Sequence, residues 1–158
     1  MTIAIGERFP DVPLKTCGSE GPGDLSTGAF LAGRKVVLFA LPGAFTPGCS
    51  NTHMPGFVVN ADRILAKGVD AIACLAVNDA FVLCAWQMVQ NAQAITMLAD
   101  GNAELTRALG LEKDASGAGM GLRCQRFAML LDDGVVTWLG IDEQGVDQSS
   151  AETVLARL

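Results

Sequence analysis

The order of apolar segments predicts a three-layer α/β architecture, a central mixed β-sheet flanked by helices, as one domain over residues 1–158. Two observations carry this expectation. Short apolar runs bounded by Gly or Pro alternate with segments of helical period, the pattern of strands and helices in α/β proteins. A hairpin signal near the end of the chain then adds antiparallel strands to an otherwise parallel sheet. Half of the 158 residues are hydrophobic and they are spread along the whole length, enough for one core.

Along the chain, the first 30 residues are rich in Gly, Pro, Ser and Thr, and TCGSEGPGDLS (16–26) reads as a surface loop after a short extended lead-in. KVVLFAL (35–41), between Gly33 and Pro42-Gly43, is expected to be a buried central strand. A helical pattern runs from Ser50 to Lys67, with Phe57, Ala61, Ile64 and Leu65 inward and Gly68 as its stop. VDAIACLAV (69–77) is a second buried strand. Asn78-Asp79 caps a helix through about Gln90, whose buried stripe is expected to be Phe81, Cys84, Ala85 and Met88.

ITMLA (95–99) is a third strand, AELTRALGL (103–111) a short helix stopped near Gly110, and ASGAGMGL (115–122) a loop. RFAMLL (126–131) and VVTWLGI (135–141) form a hairpin through Asp133-Gly134. A last helix reaches Leu158, with Ser149 and Glu152 offering a capping pair.

Composition narrows the function. Seventeen acidic and eleven basic residues give a net charge of −6, with no basic block, so neither nucleic acid nor anionic membrane is an expected partner. No apolar run reaches the roughly 18 residues of a membrane span, and the first residues, MTIAIGERFPDVPL, lack the plan of a signal peptide. A cytoplasmic location is expected. The cysteines, Cys17, Cys49, Cys74, Cys84 and Cys124, are odd in number and contain no CxxC pair, so reduced thiols are expected. They and the single His lack zinc-site spacing, and no metal is expected.

The informative segment is LPGAFTPGCSNTHMPGF (41–57), which joins the first buried strand to the first long helix. Ligands gather at such strand-to-helix junctions. Cys49 falls in the first turn of the helix, where unpaired N–H groups and the positive end of the dipole favour an anionic, nucleophilic sulfur. Gly43 and Gly48 allow close approach of the backbone, and Pro42 and Pro47 stiffen the loop. Thr46 can aim a hydroxyl at the sulfur or at a bound oxygen. His53, four residues after Cys49, shares its helix face.

Pro42, Thr46 and Cys49 fit the PxxxTxxC motif, and the longer string PGAFTPGCSNTHMPGF resembles the type II peroxiredoxins, the peroxiredoxin-5 subfamily. VNDAFV (77–82) followed by Trp86, and RCQRFAMLLDDG (123–134), extend the likeness in the expected order from about residue 5 to residue 158. The resemblance implies a thioredoxin-like fold, reduction of hydrogen peroxide or organic hydroperoxides without a cofactor, and a homodimer. It makes Cys49 the peroxidatic cysteine, has Thr46 and the backbone N–H of Cys49 or Gly48 bind the peroxide, and has Pro42 shield the sulfur. Arg126 matches the family's active-site arginine, and His53 a residue beside the substrate. A fixed cation there suits the chemistry, because O–O cleavage moves negative charge from sulfur to the departing oxygen. Arg123 is expected to be a more distant or surface residue.

For regeneration, some members use a C-terminal cysteine, but residues 142–158 contain none. Cys74, 25 residues after Cys49, matches the second cysteine of plant-like members, although ACLAV reads as a buried strand. Cys124 shares strand parity with Arg126 and is therefore expected on the same sheet face. Both remain candidate resolving residues. The favoured recycling partner is an external thiol, glutathione with glutaredoxin, with thioredoxin second. The alternative function is a redox sensor or interaction protein that uses the same thiol with little turnover.

Overall fold

The computed structural model describes residues 1–158. Seven strands form one mixed sheet, from β1 (Pro13–Gly18), β2 (Gly21–Ser26), β3 (Lys35–Ala40), β4 (Ala71–Ala76), β5 (Ile95–Ala99), β8 (Arg126–Asp132) and β9 (Val135–Asp142), in the order β2-β1-β5-β4-β3-β8-β9. β3, β4 and β5 are parallel; β1 with β2 on one side and β8 with β9 on the other run antiparallel. A separate two-stranded ladder joins β6 (Glu112–Asp114) to β7 (Leu122–Cys124). The helices are α1 (Thr27–Leu31), α2 (Met54–Leu65), α3 (Ala80–Val89), α4 (Glu104–Leu109) and α5 (Ala151–Arg157).

The central strands are buried on both faces, so their side chains divide by parity between two cores. Val37, Phe39 and Leu41 point with Cys74 and Met97 into the core that holds Phe57 and Ile64 of α2, Leu83 and Trp86 of α3, and Val154 of α5. Val36, Leu38 and Ala40 point the other way, with Leu31 of α1, Leu105 and Leu109 of α4, and Phe127 and Met129 of β8. Phe39 and Phe57 stack at 3.9 Å between centroids with a 1° interplanar angle, which ties β3 to α2 on either side of the Cys49 loop.

The expected central strands, the two long helices and the Asp133-Gly134 hairpin are present. Asp133 and Gly134 take φ of 50° and 77°, the two positive values of a type I′ turn.

Four expectations are corrected. TCGSEGPGDLS is no surface loop but most of the β1–β2 hairpin, in which Lys15 pairs with Asp24 and Cys17 with Pro22. Its Gly and Pro hide strand propensity, and Pro22 is tolerated because β2 is an edge strand. Residues 115–122 contain a 3₁₀ turn at Ser116–Ala118, between β6 and β7. In α3 the buried residues are Ala80, Leu83 and Trp86, whereas Phe81 and Met88 are 75% and 71% exposed. α3 is apolar nearly all round, so its period could not choose a face. The choice is tertiary: Trp86 points inward and its indole N–H donates to Ser50 Oγ at 3.0 Å. The cap of α5 is Ser150, whose Oγ accepts from Thr153 N, while Ser149 is buried.

The thiols also differ from expectation. Cys17 and Cys84 are joined by a disulfide between β1 and α3, with Cα atoms 5.5 Å apart. Cys17 therefore lies in a strand rather than a flexible loop, and Cys84 is only partly buried. Cys49, Cys74 and Cys124 are free and buried.

Because the Phe39–Phe57 stack fills the core beneath the Cys49 turn, Phe57→Ala is expected to cost about 3–5 kcal/mol. Urea unfolding measures this as a lower midpoint at unchanged m-value.

Candidate active site

Cys49 opens a π-helical turn, Cys49–His53, that leads into α2. Pro55 has no N–H to donate back along the ladder, and upstream of it Met54 N reaches Cys49 O, the wide spacing of a π-turn. The N–H groups of Gly48 and Cys49 donate to no backbone carbonyl, as expected at a helix start. The Cys49 side chain is 1% exposed.

β8 runs antiparallel to β3 with Phe127 opposite Ala40, which brings Arg126, at the start of β8, beside the loop that leaves β3. The guanidinium forks. Nη2 donates to Cys49 Sγ at 3.2 Å and Nη1 to His53 Nδ1 at 2.7 Å. Gly48 is needed at this approach, since a Cβ there would come within 3.3 Å of Arg126 Nη2.

His53 is 1% exposed. Its Nε2 donates to the Ser149 carbonyl at 2.9 Å, which leaves Nδ1 as the acceptor that faces Arg126. Both nitrogens are engaged, one by the Ser149 carbonyl and the other by Arg126. Burial, and next the charge of Arg126, lower its pKa to about 4, against the opposing pull of the Ser149 carbonyl and of Asp142. The ring is neutral at neutral pH. Ser149 is held in turn by Asp142, whose carboxylate accepts from Ser149 N and Oγ and from the N–H groups of Asp147 and Gln148. Burial opposes the Asp142 charge, but these donors outweigh it and keep its carboxyl below the usual range.

Other residues fix the loop. Thr46 Oγ1 donates to Gly43 O at 2.7 Å, so its lone pairs can still accept. Asn78, expected to help cap α3, instead accepts from Ala44 N at 3.0 Å, and Asp79 alone supplies the cap through Val82 N. Arg123, expected to be distant or on the surface, is partly buried and donates to the carbonyls of Pro42, Val77 and Met120. A Cβ on Gly43 would meet Arg123 Nη1 at 2.9 Å. Pro42 is partly buried at the start of the loop.

Of the two candidate resolving residues, Cys74 lies in the same core as Cys49. It is fully buried, and burial, followed by the neighbouring Cys124 and Cys49, pushes its thiol well above its ordinary range. Cys124 does not share the face of the Cys49 core. The ladder breaks at Gln125 between β7 and β8, which cancels the parity argument, and Cys124 belongs to the opposite core. Its Sγ donates to Leu41 O at 3.1 Å, and burial first, then Asp100 and Cys49, push its pKa up to about 12. Sequence reasoning missed Asn78 as a loop anchor and Asp142 altogether, and it read Ser149 as a helix cap rather than as the partner of His53 and Asp142. Only the Ser-rich stretch before α5 hinted at them.

A buried sulfur under a guanidinium, on an α/β frame of this topology, defines a class of redox enzymes that work through a cysteine thiol. Residues 4–155 match the Redoxin family. The chain is 50% identical over 165 residues to Peroxiredoxin-2E-2, chloroplastic, of Oryza sativa subsp. japonica, with 99% of this chain and 73% of that protein covered. It is 45% identical to Peroxiredoxin-2C of the same plant, over 99% and 98%. Among solved structures, reduced Prx3 from Vibrio vulnificus in complex with hydrogen peroxide matches with a TM-score of 0.95 and 52% identity, over 99% of both chains. The chain belongs to the peroxiredoxin family, has its thioredoxin-like fold and is a thiol peroxidase.

The buried neutral His53 makes stability depend on pH. Unfolded histidine takes up a proton near pH 6.5, whereas His53 in the folded protein does so only near pH 4. Its contribution is therefore complete above about pH 6.5 and is lost as pH falls toward 4, by about 3 kcal/mol in all. Urea unfolding at pH 7 and pH 4.5 should show a smaller loss on acidification in His53→Gln than in the wild type.

Proposed function

We propose that Cys49 is the peroxidatic cysteine of a type II peroxiredoxin of the peroxiredoxin-5 kind, acting on hydrogen peroxide and organic hydroperoxides. The observation that carries the reading is the 3.2 Å contact from Arg126 Nη2 to Cys49 Sγ at a helix start. The sulfur anion attacks one peroxide oxygen, the O–O bond breaks, and the departing oxygen takes a proton and leaves as water or alcohol. Cys49 becomes a sulfenic acid. Arg126 stays charged throughout and lies where negative charge is redistributed. Thr46 Oγ1, its proton given to Gly43 O, accepts from the peroxide O–H. The free N–H groups at Gly48 and Cys49 donate to the peroxide, and Pro42 limits water at the sulfur. The complex of reduced Vibrio vulnificus Prx3 with hydrogen peroxide supports this choice of substrate.

An external thiol then resolves the sulfenic acid, glutathione with glutaredoxin first and thioredoxin second. The burial of Cys74 and the position of Cys124 across the sheet support this. Glutathione attacks the sulfenic sulfur, water leaves, and a second thiol reduces the mixed disulfide. The enzyme works in the cytoplasm as a homodimer. Exposed Phe45, Phe81 and Met88 support the dimer, since the Ala44–Asn78 hydrogen bond brings the Phe45 loop to the start of α3.

Cys49→Ser is expected to abolish peroxide reduction. Arg126→Met and Thr46→Val should slow sulfenic acid formation by roughly 10²-fold, the scale of one preorganised donor. Stopped-flow oxidation checks both, and rates within about threefold of wild type, against that expectation, would overturn the roles of Arg126 and Thr46. Glutathione-supported turnover should persist in Cys74→Ser and Cys124→Ser. A Cys49–Cys74 disulfide formed in full, with activity lost in Cys74→Ser, would refute external resolution.

A further inference from the structure

The disulfide between Cys17 and Cys84 takes no part in the site around Cys49. Its surroundings differ from those of the other thiols. Cys49, Cys74 and Cys124 are at most 1% exposed, whereas Cys17 and Cys84 are partly buried at the rim of one core. Their Cα separation of 5.5 Å lies inside the range a disulfide needs without backbone movement.

The two elements that the bond joins also wall a cleft of about 540 Å³ lined by Lys15, Pro22, Asp24, Asp79 and Phe81 among others. Pro22 is the cross-strand partner of Cys17, and Phe81 precedes Cys84 by about one turn of α3. The cleft thus lies beside the pair, lined by its neighbours and not by the sulfurs themselves.

The bond also ties down an element that the sheet holds weakly. The β1–β2 hairpin forms the edge, and β1 meets β5 through a single register pair, Lys15 with Ala99, helped by the hydrogen bond from Thr16 Oγ1 to Met97 O.

We propose that Cys17 and Cys84 form a second redox centre, a dithiol that peroxide oxidises to a disulfide and that thiols reduce back, with oxidation fastening the β1–β2 hairpin to α3. One thiolate attacks a peroxide oxygen, the O–O bond breaks, and the departing oxygen takes a proton and leaves as water or alcohol. The attacked sulfur is then a sulfenic acid. The partner thiol attacks it, the S–S bond forms, and the hydroxyl leaves with the thiol proton as water. Two electrons pass from two thiols to one peroxide. A dithiol reverses the bond by exchange and is itself oxidised to a disulfide.

The test uses the full chain carrying Cys49→Ser, so that failure of the role assigned to Cys49 leaves this result untouched. The protein is equilibrated in glutathione and dithiothreitol buffers of graded potential, or exposed to hydrogen peroxide, then alkylated and mapped by peptide mass spectrometry. Cys17 and Cys84 should pass together from doubly alkylated to disulfide-linked, and peroxide should give the same linked pair. Reduction should lower Tm by roughly 5–15 °C, because the bond spans 67 residues of chain. The same chain with Cys17→Ser and Cys84→Ser added should show the lower Tm in every buffer. Thiols that stay alkylatable in all conditions, a bond that stays closed in the most reducing buffer, or a Tm that moves by less than about 1 °C would each overturn the proposal.

Discussion

The fork of Arg126 between His53 and Cys49 is the contact on which the rest of the site depends. A guanidinium cannot shed its charge, so holding one partly buried requires acceptors at fixed places. The sulfur is one and the neutral ring of His53 is the other. His53 can accept because its second nitrogen donates to Ser149, and Ser149 is fixed by Asp142 at the far end of β9. A line of hydrogen bonds thus runs from a carboxylate to the sulfur through residues at widely separated positions in the chain. The sheet makes this possible, because β8 lies antiparallel to β3 and delivers Arg126 to the end of the strand from which the Cys49 loop departs.

The loop itself is secured by groups that touch neither the sulfur nor Arg126. Arg123 gathers the carbonyls of Pro42, Val77 and Met120, three segments that would otherwise end near one another without a shared partner. Asn78 holds Ala44, and Thr46 closes the loop onto Gly43. Phe45 sits among these contacts at a φ of 65°, a left-handed conformation that costs energy for a bulky residue. The surrounding hydrogen bonds maintain it, and they leave its ring exposed.

α3 connects three parts of the molecule. Inward, Trp86 reaches Ser50, the residue after Cys49. Toward the sheet edge, Cys84 is bonded to the hairpin. Outward, Phe81 and Met88 face solvent. A helix that is apolar all round must bury more than one face or leave one for a partner. The inward face carries Leu83 and Trp86, and the outward face supports the proposed homodimer.

The alternation of strands and helices, the Asp133-Gly134 turn and the junction that carries Cys49 were legible without a structure, because each rests on local period, on a turn residue with positive φ, or on a motif within one loop. Arg126 was legible too, though through resemblance rather than pattern. Relations between residues far apart in the chain were left to packing. Cys17 and Cys84 met because a hairpin of unpromising composition packs on α3, and α3 presented Trp86 rather than Phe81 inward because a partner for the indole N–H lay beside Cys49. Cys124 went to the opposite core because the ladder breaks at Gln125, a break that strand parity does not register. His53, Ser149 and Asp142 came together because packing α5 against α2 closes the space between them, and no period in the sequence encodes a hydrogen bond that spans 96 residues.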